Sequence, residues 1–155
     1  MNIAEIVNGY YGLRELAGPE KNTPEIVRFF REIGHEWVKT DETAWCAAFV
    51  NYVLKKAGFP FTGKLYAKSF LAIGERISAP KPLGTSDKFI DIALFYRGDP
   101  WTNEDPEQYE PGHVAFYINA RGKLIYVTGG NQSNQTKTSG YDYRELEHYR
   151  RIYKI

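Results

Sequence analysis

The chain has 155 residues, 43% hydrophobic and 25% charged, enough to bury one sizeable core and too apolar for a disordered polymer. Twenty basic residues against nineteen acidic ones leave a formal charge of +1, which gives no electrostatic footprint for nucleic acid or an anionic membrane surface. The single cysteine excludes an intrachain disulfide, and no apolar stretch approaches the ~20 residues that a bilayer-spanning helix needs.

One domain over residues 1–155 is expected. "MNIAEIVNGYYGLRELAG" places acids early and has no charged start followed by an apolar run, so no secretory signal is expected and synthesis in the cytoplasm is predicted. The glycosylation patterns at 131–133 and 134–136 are discounted for the same reason.

In chain order, Ile3, Ile6, Val7, Tyr10 and Tyr11 recur at helical spacing and predict a first helix ending between Gly12 and Gly18. "NTPEIVRFFREIG" predicts a second, with Thr23 as N-cap, Pro24 at the first helical position and Gly34 after the last turn. "WCAAFVNYVLKKAG" predicts a third. Its Cys46, Phe49, Val50, Val53, Leu54 and Ala57 share one broad face, Lys55 and Lys56 favour the C-terminal dipole, and Gly58 closes it. A shorter helical piece is expected over "YAKSFLAIGER".

The pattern then changes to short β-branched and aromatic runs, "FIDIALFYRG", "GHVAFYINA" and "KLIYVTGG". Residues 98–112 form a polar loop of unusual length, of the kind that often carries function. The closing "YRRIYKI" reads as a mildly basic, solvated chain end. Helices followed by antiparallel strands define an α+β class, with the third helix packed on the sheet.

The lone Cys46 falls near the start of that third helix, where unpaired N–H groups and the dipole lower a thiol's pKa and populate the nucleophilic thiolate. The same place suits a small core residue. A thiol nucleophile needs a base, and the base an orienting group. Of the three histidines, His35 follows a helix stop and His148 lies in the charged tail. His113 opens a strand directly after a Pro–Gly turn, so its ring is expected at the end of the sheet beside a loop.

If Ala120–Arg121–Gly122 form a three-residue hairpin loop, Asn119 pairs with Lys123 and His113 faces Gly129. Asn131 is then the diagonal neighbour of His113 on the same face, about 7–8 Å away by backbone. A two-residue turn at Arg121–Gly122 would send Asn131 to the other face. Gly129 and Gly130 leave room beside the histidine. The sequence permits either turn; with the three-residue loop, Cys46, His113 and Asn131 would stand in the roles of nucleophile, base and orienter.

"DETAWCAAFVNYVLKKAG", "PGHVAFYI" and "VTGGNQSN", in that order, resemble the small cell-wall hydrolases of the NlpC-type and CHAP cysteine peptidase superfamily, and "GPEKNTPEIVRFF" extends the likeness over most of the chain. The likeness is to a phage and bacterial branch marked by Trp-Cys-Ala-Ala-Phe, Gly-His-Val and Gly-Gly-Asn-Gln. The resemblance implies a papain-like fold and hydrolysis of an amide bond in or next to the peptidoglycan stem peptide. Cys46 would be nucleophile, His113 base and Asn131 orienter, with no cofactor and no metal. Many NlpC-type members place Asp directly before the cysteine and use a second His as third residue; here Trp45 and Asn131 stand there.

The expected chemistry is attack by the Cys46 thiolate to form a thioester, with the Cys46 N–H as an oxyanion donor. His113 would protonate the leaving amine and then activate water. Asp41 and Glu42 could bind a free amine of the substrate, or simply favour the coming helix start. Trp45 and Trp101 could flank the groove, Trp45 being equally good as core, and Gln132 is assigned to substrate contact. The expected partner is peptidoglycan, met by a monomer in the periplasm or cell wall. A phage lysis enzyme released through a membrane hole would fit, and so would an antibacterial effector delivered by a secretion machine. An effector would have an immunity protein in the producing cell. A cysteine acyltransferase or deamidase acting on a protein, and a catalytically silent wall-binding protein, are the competing readings.

Overall fold

A computed structural model describes residues 2–15, 23–37, 45–96 and 112–155. Three α-helices come first. In α1 (Ile3–Gly9) Asn2 Oδ1 accepts the Glu5 N–H at 2.9 Å while the Glu5 carboxylate accepts the Asn2 N–H at 3.2 Å, a reciprocal cap that supports a helix of only seven residues. In α2 (Pro24–Glu32) proline occupies the first turn as expected, but the Thr23 side chain does not cap it. Thr23 Oγ1 instead donates to the Arg14 carbonyl at 2.6 Å and ties the helix start to the amino-terminal segment. In α3 (Cys46–Ala57) every residue from Cys46 to Leu54 is buried, and only the Lys55–Lys56 turn reaches water. Asn51 is the polar residue in that run. Its Oδ1 accepts N–H groups from Thr62 and Gly63 and its Nδ2 donates to the Lys64 carbonyl, so α3 clamps the turn that follows it.

The helical piece expected over residues 66–76 is a 3₁₀ segment, Ala67–Ala72, and it stops sooner than the pattern suggested. Gly74 has φ +70°, and a Cβ there would collide with the Arg151 carbonyl, so a neighbouring strand cuts the helix short. Glu75 and Arg76, expected to be helical, begin β1 (Glu75–Ile77). The other strands are β2 (Phe89–Tyr96), β3 (Gly112–Arg121), β4 (Leu124–Gln132), β5 (Gln135–Asp142) and β6 (Leu146–Tyr153). All pairings are antiparallel, in the order β1-β6-β2-β3-β4-β5. The molecule is therefore α+β, with a six-stranded antiparallel sheet as expected in outline.

The carboxyl-terminal segment is a correction. It is not a solvated end but strand β6, inserted between β1 and β2. Its Ile152 is buried, and the Arg151 guanidinium donates twice to the buried Asp91 carboxylate, at 2.8 Å each. That carboxylate holds the Arg151 pKa above its ordinary value. The two consecutive arginines hid the strand, because one of them is charged yet satisfied inside the sheet.

Strand β5 returns to β6 through a three-residue turn, Tyr143–Glu145. Asp142 and Leu146 are four residues apart, a reach of at most ~14 Å, whereas four strand spacings of a flat sheet measure ~19 Å. The sheet must curl, and its curl gives it two apolar faces. One receives the helices through Ile90, Ile92, Leu94, Val114 and Phe116. The other encloses Ala93, Phe95, Ala115, Tyr117, Ile125 and Val127, with Tyr141, Leu146 and Tyr149 against them. None of the described helices is long and apolar enough to cross a membrane.

The β3–β4 hairpin also differs from expectation. Its turn is Gly122–Lys123, so that Arg121 pairs with Leu124 and Asn119 with Tyr126 rather than Lys123. A bulge between Tyr117 and Asn119 then slips the register by one residue. Gly129 consequently lies beside Ala115, where a Cβ would come within 2.7 Å of the alanine methyl, and not opposite His113.

Candidate active site

His113 is the second residue of β3 and is 1% exposed. Strand alternation puts Val114 and Phe116 toward the helices and Ala115 and Tyr117 on the enclosed face. His113 shares that enclosed face. Its ring stacks on Tyr141, centroids 5.2 Å apart and planes 29° from parallel.

The group that meets His113 is Gln132, with Gln132 Oε1 2.8 Å from His113 Nε2. Gln132 is itself 1% exposed, and its Nε2 donates to the carbonyls of Lys137 (2.6 Å) and Val127 (3.3 Å). Those two carbonyls fix which way the amide points, since only its NH₂ end can serve them. The oxygen left for His113 is an acceptor, so His113 donates through Nε2–H. In the neutral ring the lone pair then lies on Nδ1.

Asn131, the residue expected in this role, is half-exposed and adopts φ +59°. That left-handed residue is a bulge, and the β4–β5 register shifts between Gly129 and Gln132. Plain alternation would aim residues 129 and 131 at one face and 130 and 132 at the other. Gly129 does face Ala115 and Gly130 does face Trp45 and Phe49, but beyond Asn131 the order is offset by one. Gln132 therefore emerges beside Gly129, its Oε1 3.3 Å from where a Cβ at that glycine would stand. The amide that meets His113 is thus Gln132, one residue beyond the Asn131 to which the residue count pointed.

The helix start is delivered to the same end of the sheet by Trp45. Its indole is 0% exposed and lies so close to Gly130 that a Cβ there would be 2.6 Å from two ring carbons. The indole N–H donates to Glu15 Oε1 at 2.5 Å, and the ring packs on Phe29, centroids 6.3 Å apart. Trp45 is thus core and does not flank a groove. Its neighbour Cys46, 5% exposed, is the first residue of α3, with the Phe49 N–H bonded to the Trp45 carbonyl at 2.9 Å as the first helical bond. Trp45 on Gly130 and Gln132 on His113 join the two halves within three residues of β4.

The remaining histidines have other duties. His35 Nε2 bonds the Gly63 carbonyl at 2.6 Å and holds the turn after α3. His148 lies on β6, where burial, with Arg76 and Arg150 adding to it, holds its pKa below the ordinary imidazole value. Of the expected substrate contacts, Asp41, Glu42 and Trp101 lie outside the described residues, as does all but the last residue of the 98–112 loop. Gln132 is committed to His113 and two carbonyls rather than to substrate. Among the described residues no group of three or more His, Cys, Asp or Glu has the spacing of a metal site.

No family model, curated protein or solved structure matches this chain. The fold supplies a thiol at the start of a twelve-residue helix and a buried imidazole whose tautomer is fixed by a buried amide. A thiol and an imidazole are the groups by which a protein forms a thiolate nucleophile and returns a proton to a leaving group.

Proposed function

We propose that the protein is a cysteine hydrolase of papain-like arrangement that cleaves an amide bond in or next to the peptidoglycan stem peptide. Cys46 is its nucleophile, His113 its base and Gln132 its orienting group. The observation that carries the reading is the buried His113–Gln132 bond, because an Nε2–H given to a fixed amide oxygen leaves the ring lone pair on Nδ1, the form a base needs to take a thiol proton. Peptidoglycan as substrate rests on the likeness of the Trp45–Cys46, His113 and Gly129–Gln132 motifs to the wall hydrolases.

In this mechanism Nδ1 of His113 takes the thiol proton, and Gln132 Oε1 stabilises the resulting imidazolium through Nε2–H. The thiolate attacks the amide carbon, and the charge that grows on the carbonyl oxygen falls near the N-terminus of α3, where the Cys46 N–H is a donor. The imidazolium passes its proton to the leaving amine, and the C–N bond breaks to leave a thioester. Water then gives its proton to His113 and its oxygen to the acyl carbon, which frees Cys46.

The test is digestion of Gram-negative sacculi by wild type and Cys46→Ala, with soluble products identified by mass spectrometry. Fragments from wild type alone support the reading, and their masses distinguish stem-peptide cleavage from release of the whole peptide. Equal release by both proteins, or none by either, overturns it.

A further inference from the structure

Tyr141 lies outside the expected site and takes no part in the proton transfers of the mechanism. It belongs to β5, where it pairs with Ile125, and the sheet order puts β4 between it and the strand of His113. The curl of the sheet nevertheless carries its ring over two cross-strand neighbours at once. It stacks on Phe95 with centroids 4.8 Å apart and planes 25° from parallel, and on His113 at 5.2 Å and 29°. Phe95 and His113 are themselves partners in the β2–β3 ladder. The reach is geometrically feasible because the enclosed face is floored by Ala93, Ala115 and Gly129, which have almost no side chain to stand in the way. The short return through Tyr143–Glu145 to Leu146, which pairs with Phe95, holds β5 at that place.

We propose that Tyr141 is a positioning residue that clamps the face of the His113 imidazole, as Gln132 fixes its edge. This rests on the reading of His113 as the base of a cysteine hydrolase. Gln132 holds the ring at one edge atom, and the stacked Tyr141 ring opposes rotation about the Nε2–Oε1 axis. The π-face also favours the imidazolium that appears when the thiol loses its proton, since a cation over an aromatic ring is attracted by its quadrupole. Phe95, the ladder partner of His113, stacks on the same ring and adds to the contact that seats it there.

The discriminating variants are Tyr141→Phe, which keeps the ring, and Tyr141→Leu, which keeps apolar bulk without a π-face. Two readouts are taken on each: kcat and KM on soluble peptidoglycan fragments, and the rate at which iodoacetamide alkylates Cys46 across pH. A stacking contribution of ~1 kcal/mol corresponds to about fivefold in rate. The leucine variant should lose about fivefold in kcat with KM unchanged, and its Cys46 should alkylate more slowly below neutral pH. The phenylalanine variant should match wild type in both. Equal loss in both variants, or a loss confined to KM, overturns the clamp. If wild type itself leaves peptidoglycan intact, the substrate reading fails, while the alkylation profiles still decide whether Tyr141 governs the thiol.

Discussion

Replacing Gln132 by leucine tests the site with little change in volume. The amide is 1% exposed and makes three hydrogen bonds, so its loss leaves the His113 Nε2–H and the Val127 and Lys137 carbonyls without their partner. A buried donor left unsatisfied costs about 1–3 kcal/mol, and the tighter carbonyl bond, at 2.6 Å, adds a further part of that range. A total of about 3 kcal/mol is expected. A domain of this size holds roughly 8 kcal/mol or more at ~0.05 kcal/mol per residue, so the variant still folds. Urea denaturation should show a midpoint lower by about 1.5 M, taking a slope of ~2 kcal/mol per molar. Activity should fall far more than stability, by about 100-fold in kcat, because the imidazole loses both its fixed tautomer and the acceptor that stabilises its charge. Asn131→Gly is the paired control. Glycine accepts φ +59° without strain, and the Asn131 side chain has no part in the mechanism, so stability and kcat should stay within about twofold of wild type. An Asn131→Gly enzyme that is inactive beside an active Gln132→Leu enzyme would refute the assignment of the orienting group.

Two further variants probe the surroundings. Gly130→Ala places a methyl 2.6 Å from the Trp45 ring and 2.9 Å from Phe49 Cβ, so the indole that precedes Cys46 must shift. Overpacking of this kind costs about 1–3 kcal/mol, read as a fall of some degrees in Tm by calorimetry together with a changed alkylation rate at Cys46; an unchanged Tm would show that Trp45 yields freely. Asp142 is held down to about 2 by hydrogen bonds from the side chain and backbone N–H of Arg144. A carboxylate depressed in the folded state stabilises above its unfolded value of 3.8 and loses that contribution as pH falls toward 2. Asp142→Asn should therefore flatten the part of the stability–pH curve between those two values. Its place at the surface, with the Arg144 side chain 75% exposed, keeps the effect small, and an identical curve for the two proteins would count against the pairing.

The parts of the fold that could be read in advance are those governed by local rules. Pro24 at a helix start, the apolar face of α3 and the short β-branched and aromatic run "GHVAFYINA" each describe their own element. What escaped was set by partners distant in the chain. Strand β6 carries Arg150 and Arg151, which look solvated until Asp91 is known to face the latter. The 3₁₀ segment ends where Gly74 meets β6, an encounter that no window around residue 74 contains. In the site, the choice of Cys46 and His113 came from their places on elements, whereas the choice between Asn131 and Gln132 turned on one bulge. A signal for that bulge was in the stretch itself. Asparagine tolerates the left-handed region better than most residues, and "GGNQSN" puts Asn131, Ser133 and Asn134 in it within four positions. Tyr141 left no such trace, because only the curl of the sheet brings it to His113.

The segment that follows α1 makes two attachments whose joint effect extends beyond either. Gly12 N–H bonds the Thr136 carbonyl, Thr136 N–H the Leu13 carbonyl and Glu15 N–H the Asn134 carbonyl, so residues 12–15 run along the outer side of β5. Glu15 at the same time receives the Trp45 indole N–H. Removal of the first fifteen residues would thus strip a β-edge of its backbone partners and free the residue in front of the thiol in a single cut. A bare edge of that kind is a template for the same segment of a second molecule.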